Sequence, residues 1–202
     1  MIDFYGAPTA NCQRVAITLA VLGLPHRTVT LDRAAGDQRA PDFLAINPAA
    51  AVPAIVDHEA GVTLAQSGAI LVYLAEKAGR LLPLSGAPRA VAWQWLMQAL
   101  TDVNPAASFV FMAGRGIMPE VGPEGLAFLD ARLARFLGDA DAALAVRPFL
   151  AGDLSIADLA LYPVVAGRWV DAAIPARFPA LAAWARRLAA MPEIGALVPL
   201  PA

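Results

Sequence analysis

Strand-like runs fall within about the first 80 positions of this 202-residue chain, and past Gly79 the periodicity turns helical with no convincing strand. That switch divides the chain near residue 82, with residues 81–88, rich in Pro and Gly, as the linker between a first part, 1–80, and a second, 89–202. Ile2–Tyr5 is a short apolar strand candidate closed by the turn formers Gly6-Ala7-Pro8. Asn11 suits the N-cap of a helix carrying Val15, Ala16, Leu19 and Leu22, which Gly23 and Pro25 stop. Arg27–Leu31 alternates like a second strand, and residues 32–51 read as a polar loop with a weak helix. Pro53–Asp57 and Gly61–Leu64 form a hairpin pattern around His58-Glu59-Ala60, after which Ser67 caps a helix of Ile70, Leu71, Leu74 and Ala75 ending at Gly79. A strand-helix-strand unit needs a parallel pair with a right-handed crossover, so adding a hairpin and a helix gives a mixed four-stranded sheet.

The second part reads as all-α. Arg89–Ala113 is one long helix bent or broken at Asn104-Pro105, where a backbone donor is missing. Pro123 suits the first turn of Glu124–Ala145. Ser155 with Asp158 three positions on forms a capping arrangement, Leu154 and Leu159 supply its hydrophobic staple, and Phe178–Ala190 is a last amphipathic helix.

The chain is 58% hydrophobic with a mean hydropathy of +0.57, yet its longest uncharged run, Ala60–Ala75, is polar in places and shorter than the roughly 20 residues of a spanning helix. With no signal-peptide pattern at the N-terminus, the expectation is a cytoplasmic protein that does not enter a membrane. A net charge of −2 without blocks of like charge argues against nucleic acid. A lone cysteine, Cys12, excludes an internal disulfide framework, and His26 and His58 make no metal-ligand cluster. Any redox chemistry must borrow a thiol from a ligand.

The first part follows the thioredoxin-like pattern of an α+β module, in which the turn after the first strand, the loop before the third strand and the start of the last helix converge. Thr9 and Asn11 place a hydroxyl and an amide beside a helix N-terminus, which favours an anion such as a thiolate. Lowering a thiol from about 8.5 by roughly two units takes about 2.7 kcal/mol and raises its ionised fraction at pH 7 from about 3% to about 75%. Turn and cap formation account for Thr9, Asn11 and Ser67 equally well on position alone. The proline of Val52-Pro53 reads either as an edge residue or as a cis bond that turns the Val52 backbone outward.

Together, Met1 through Thr9, Asn47-Pro48, Val52 through Asp57, and Gln66-Ser67-Gly68-Ala69-Ile70-Leu71-Val72-Tyr73-Leu74-Ala75-Glu76-Lys77 resemble the glutathione transferases, most nearly the bacterial nu-class and fungal prion-related branch. Leu154-Ser155-Ile156-Ala157-Asp158 matches the helical module of that family, so the resemblance spans nearly the whole chain. It implies that Thr9 lies near the glutathione sulfur with Asn11 beside it, where other classes have a cysteine. It further implies that Val52 with cis-Pro53 pairs with the cysteinyl backbone, Gln66 and Ser67 hold the γ-glutamyl end, and Gln38 reaches the glycyl end. Two departures stand out. Ala51 replaces the usual cation before Val–Pro, leaving Gln38 or Arg39 to substitute, and Gln66 replaces an acid, so that Asp102 from a partner subunit is expected to face the ligand ammonium. Phe109, Met112 and Arg115 are candidates for the acceptor side, whereas Trp93, Trp95, Trp169 and Trp184 read as packing residues; Cys12 reads either as a small buried hydrophobe or, if exposed in the first helical turn, as an activated thiol. The implied protein is a homodimeric enzyme that needs no metal and uses glutathione as co-substrate. It would activate glutathione as a thiolate for conjugation to small electrophiles or reduction of small disulfides. A non-catalytic binding module and a glutathione-dependent isomerase or dehalogenase are the alternatives.

Overall fold

The computed structural model describes residues 1–201. Strand β1 (Ile2–Gly6) leads into α1 (Ala10–Leu22) and β2 (His26–Thr30), and after a short 3-10 turn at Asp37–Arg39 comes α2 (Pro41–Ile46). Strands β3 (Ala54–Asp57) and β4 (Val62–Ala65) precede α3 (Ser67–Ala78). The sheet order is β2-β1-β3-β4, with β1 parallel to β2 from Ile2 opposite His26 and antiparallel to β3 from Ile2 opposite Asp57. This is the expected mixed four-stranded sheet. Alternation along β1 buries Ile2 and Phe4 in the main core, while the ring of Tyr5 meets Phe43 of α2 at 5.8 Å.

Beyond the sheet come α4 (Gly86–Met97), α5 (Asn104–Gly114), α6 (Gly122–Leu144), α7 (Ile156–Gly167), α8 (Ile174–Arg177), α9 (Pro179–Ala189) and α10 (Pro192–Gly195). The segment read as a linker is shorter than its sequence indicates: α4 begins at Gly86, and the Ile156 amide donates to Leu81 O at 2.9 Å. At Asn104-Pro105, where a bend or a break is expected, the chain changes its winding. Pro105 cannot donate to the preceding turn, and the stretch Gln98–Val103 relaxes into π-helix before α5 resumes.

Two buried carboxylates hold the frame. Asp158 at the start of α7 is fully buried, which pushes its pKa up. It accepts from Leu150 N, Ser155 N, Ser155 Oγ and Trp184 Nε1, all at 2.9–3.0 Å, so the expected cap also anchors α9. Asp57 accepts from Glu59 N and from Tyr73 Oη at 2.7 Å, and it meets Lys77 Nζ at 2.9 Å, tying the β3–β4 turn to α3. Helix α1 packs against both α3 and α7, and one core runs from Leu19, Leu71 and Leu74 through Leu96 to Leu137 and Ile156.

At the sheet's end Asp3 is buried under Arg27, which donates from Nη2 at 2.6 Å, and His58, whose Nε2 lies 2.9 Å away. Those hydrogen bonds hold the Asp3 carboxyl at about 2, below its ordinary 3.8. A depressed carboxyl stabilises the fold above its unfolded pKa and loses that contribution as pH falls through the folded value. Part of the stability should therefore disappear between about pH 4 and pH 2. Acid titration followed by circular dichroism should show a shallower loss for Asp3→Asn than for the parent over that window.

Candidate functional site

The N-termini of α1 and α3 lie side by side, and their exact starts decide which side chains are free. Thr9, with φ −131° and ψ 152°, is the N-cap of α1, and its Oγ1 accepts from Cys12 N at 3.3 Å. The hydroxyl hydrogen of Thr9 is thereby left for a ligand. Asn11, read from sequence as the cap, is instead the second residue of the helix, within its first turn, because capping needs an extended backbone that Thr9 already supplies. Its amide is released from capping and lines a cavity of about 730 Å³ together with Arg14, Gln66, Ser67, Trp93 and Asn104.

At α3 the expected cap is likewise displaced. Gln66 is the cap residue, at φ +71°, and Ser67 is the first helical residue. A glutamine there carries roughly 1–3 kcal/mol of backbone strain. The Ser67 hydroxyl accepts from Arg14 Nη1 at 3.4 Å rather than capping the helix. Next to it, Gly68 leaves room for Leu100 of the π-helical stretch, since a Cβ at that position would stand 2.5 Å from Leu100 Cδ1.

Arg14 is the residue that sequence reasoning passed over. It is 1% exposed and donates from Nη2 to Asn104 Oδ1 at 3.0 Å, while its Nε is buried with no partner. Burial lowers its pKa to about 10, so it stays charged at neutral pH. The available signal was a cation three and four residues before Ile17 and Thr18, on a helix face whose neighbours at that spacing are buried.

Val52–Pro53 is cis, and the loop before it is tied by Asn47, whose side chain donates to Ala51 O and accepts from Ala49 N. Gln38 is buried beneath its own loop, 3.4 Å from Arg33 O with its Oε1 unpartnered, and does not line the cavity of Asn11. Arg39 is exposed beside it. Thr9 lines a second cavity, of about 540 Å³, with Asp32, Arg33 and Asp37. Asp102, on the π-helical stretch, does not line the cavity of Gln66; Glu76 does, bonded to Arg89 at 2.7 Å.

The three acceptor candidates are not brought to Thr9 in one cavity. Phe109 is exposed and Met112 half-buried, whereas Arg115 stacks over Phe111 at 5.1 Å and lines a separate cavity with Arg168, Arg177, Asp130 and Asp171. Trp93 lines the first cavity, while Trp95, Trp169 and Trp184 are core residues as read. Cys12 is buried, and its Sγ accepts from Ala7 N at 3.3 Å.

The glutathione S-transferase N-terminal domain family matches residues 10–77. The Escherichia coli K12 protein named disulfide-bond oxidoreductase YfcG is 33% identical over 207 residues, covering 96% of this chain and 93% of its own. The chain belongs to the glutathione transferase family. A solved family member from Pseudomonas fluorescens pf-5, with two glutathione bound, is 29% identical with a TM-score of 0.89, covering 99% of this chain and 93% of its own. A glutathione transferase from Pseudomonas putida, with one glutathione disulfide per subunit, is 28% identical with a TM-score of 0.89 over 100% of this chain and 92% of its own.

In this family member Gln66 places a long side chain on a backbone suited to glycine, and stability and recognition should separate there. For Gln66→Gly the melting temperature should stay level or rise, while retention on immobilised glutathione falls. A coincident loss of both would make Gln66 a structural residue.

Proposed function

We propose that the protein activates glutathione as a thiolate and uses it chiefly to reduce small disulfides. The observation that carries this reading is the meeting of Asn11, Arg14, Gln66 and Ser67 at one cavity where two helix N-termini open. The similarity, over nearly the whole chain, to a protein named disulfide-bond oxidoreductase favours disulfide reduction over conjugation.

In this reading the γ-glutamyl end lies at Gln66 and Ser67, the cysteinyl backbone runs along Val52, and the sulfur reaches the start of α1. Thr9 donates its hydroxyl hydrogen to the sulfur, and the α1 terminus with the Asn11 amide favours its negative charge. The glutathione thiolate attacks one sulfur of the disulfide, forming a mixed disulfide and expelling the other sulfur as thiolate. A second glutathione thiolate then attacks the glutathione sulfur of the mixed disulfide, yielding glutathione disulfide and the second product thiol. Cys12, sealed in the core, takes no part. The glycyl carboxylate, without a cation at Ala51, falls to Arg33, Arg39 or a reoriented Gln38. Such a cycle suits the reducing cytoplasm. The acceptor in this reading falls to Phe109, Met112 and Arg115.

Turnover of hydroxyethyl disulfide by glutathione, against conjugation of a general aryl halide, tests the assignment. Absence of both activities in a protein that still binds glutathione would leave a binding module. Thr9→Val with Asn11→Ala should raise the kinetic pKa of bound glutathione by a unit or more, and Cys12→Ala should keep most of its activity. Loss of turnover in the Cys12 variant alone would make Cys12 the nucleophile.

The reading includes a homodimer in which the partner subunit's Asp102 faces the ligand ammonium, because an unpaired buried cation beside the neutral Gln66 is costly. Sedimentation should give a species near twice 21.1 kDa. Asp102→Asn should weaken glutathione binding more than Glu76→Gln does. The reverse order would assign the counter-charge to Glu76, which already lines the cavity.

A further inference from the structure

Arg14 is a buried cation served only by neutral oxygens. Of its five N–H donors, one reaches Ser67 Oγ at 3.4 Å and one reaches Asn104 Oδ1 at 3.0 Å, while the Nε–H is enclosed without a partner. It takes part in no ion pair among the described residues. A charge so placed is costly unless something of opposite sign arrives. Its three neighbours in the cavity, Asn11, Ser67 and Asn104, carry no charge, and the 12-residue helix α3 opens on the same space with its first backbone N–H groups. The corner of the cavity at Arg14 thus carries a fixed positive charge, while the acid that lines the same cavity, Glu76, is bonded to Arg89.

Asn104 decides whether that corner keeps its charge. It stands where the π-helical stretch Gln98–Val103 gives way to α5, so its amide reaches Arg14 from the helical part of the chain while Ser67 approaches from the sheet part. An amide oxygen orients a guanidinium without neutralising it, whereas a carboxylate at the same point would do both. We propose that Asn104 is a positioning residue that holds Arg14 behind Ser67 as the counter-cation for the γ-glutamyl α-carboxylate of glutathione. The inference rests on the glutathione reading above.

Binding of two tripeptides, measured by calorimetry, separates this role from a merely structural one: glutathione, and 4-aminobutyryl-cysteinyl-glycine, which lacks only the α-carboxylate. The parent protein should bind glutathione at least tenfold more tightly than the decarboxylated peptide. Asn104→Asp should weaken glutathione tenfold or more, leave the decarboxylated peptide within about twofold, and raise KM for glutathione with kcat held. Asn104→Ser, which keeps a neutral acceptor on a shorter arm, should fall between parent and Asp. Equal losses for the two peptides in both variants, or unchanged glutathione affinity in Asn104→Asp, would overturn the proposal while leaving the glutathione reading intact. A parent protein that binds neither peptide would instead remove the reading and this inference with it.

Discussion

The burial of α1 between the sheet layer and the helical layer is the constraint from which the site follows. Val15, Ile17 and Leu19 are fully enclosed, and the helix packs at once on α3, α7 and α10. A helix held this way cannot slide or rotate without opening the core, since packed interiors yield little. The position of its first turn, and so of Thr9 and Asn11, is therefore set jointly by the sheet and the helical layer. The same enclosure carries Arg14 inward with the apolar residues around it and leaves a buried cation at the wall of a cavity.

Two buried charges illustrate how solvation separates structure from chemistry. Asp158 collects four donors, including the Trp184 indole and the Leu150 amide, and with its acceptor capacity engaged it serves as a joint between α7, α9 and the preceding loop. Arg14 is left with two neutral partners, one of them distant, and an idle Nε–H beside an open cavity. A satisfied buried charge specifies the fold, and an under-served one at a cavity wall marks where a ligand completes the network.

Economy of groups recurs at the two helix starts. One threonine oxygen caps α1 and still has a hydrogen to donate. Gln66 tolerates a left-handed backbone so that Ser67 and its hydroxyl enter the first turn of α3 facing Arg14. Gly68 yields its side-chain volume to Leu100, bringing the helical part of the chain close enough for Asn104 to reach the same guanidinium. Each local compromise serves the approach of two layers at one point.

Local patterns in the chain were sufficient for most of the architecture. A short apolar run marked β1, alternation marked β2, a hairpin pattern marked β3 and β4, apolar spacing marked the long helices, and the Ser155–Asp158 pair marked the start of α7, because each depends on neighbours within a few residues. The recurring segments around Thr9, Val52-Pro53 and Gln66-Ser67 were enough to name the family. Tertiary packing decided the rest. Which of Thr9 and Asn11 caps α1, and whether Ser67 caps α3 or begins it, turns on single backbone dihedrals that competing capping residues leave open. The π-helical accommodation before Pro105 depends on that stretch being packed against α6 and α7 while one backbone hydrogen bond is missing. Arg14 acquired its meaning only when Ser67, 53 positions away, and Asn104, 90 positions away, met it. A charge reads as solvated until the fold removes its water, and that desolvation is a property of contacts distant in sequence.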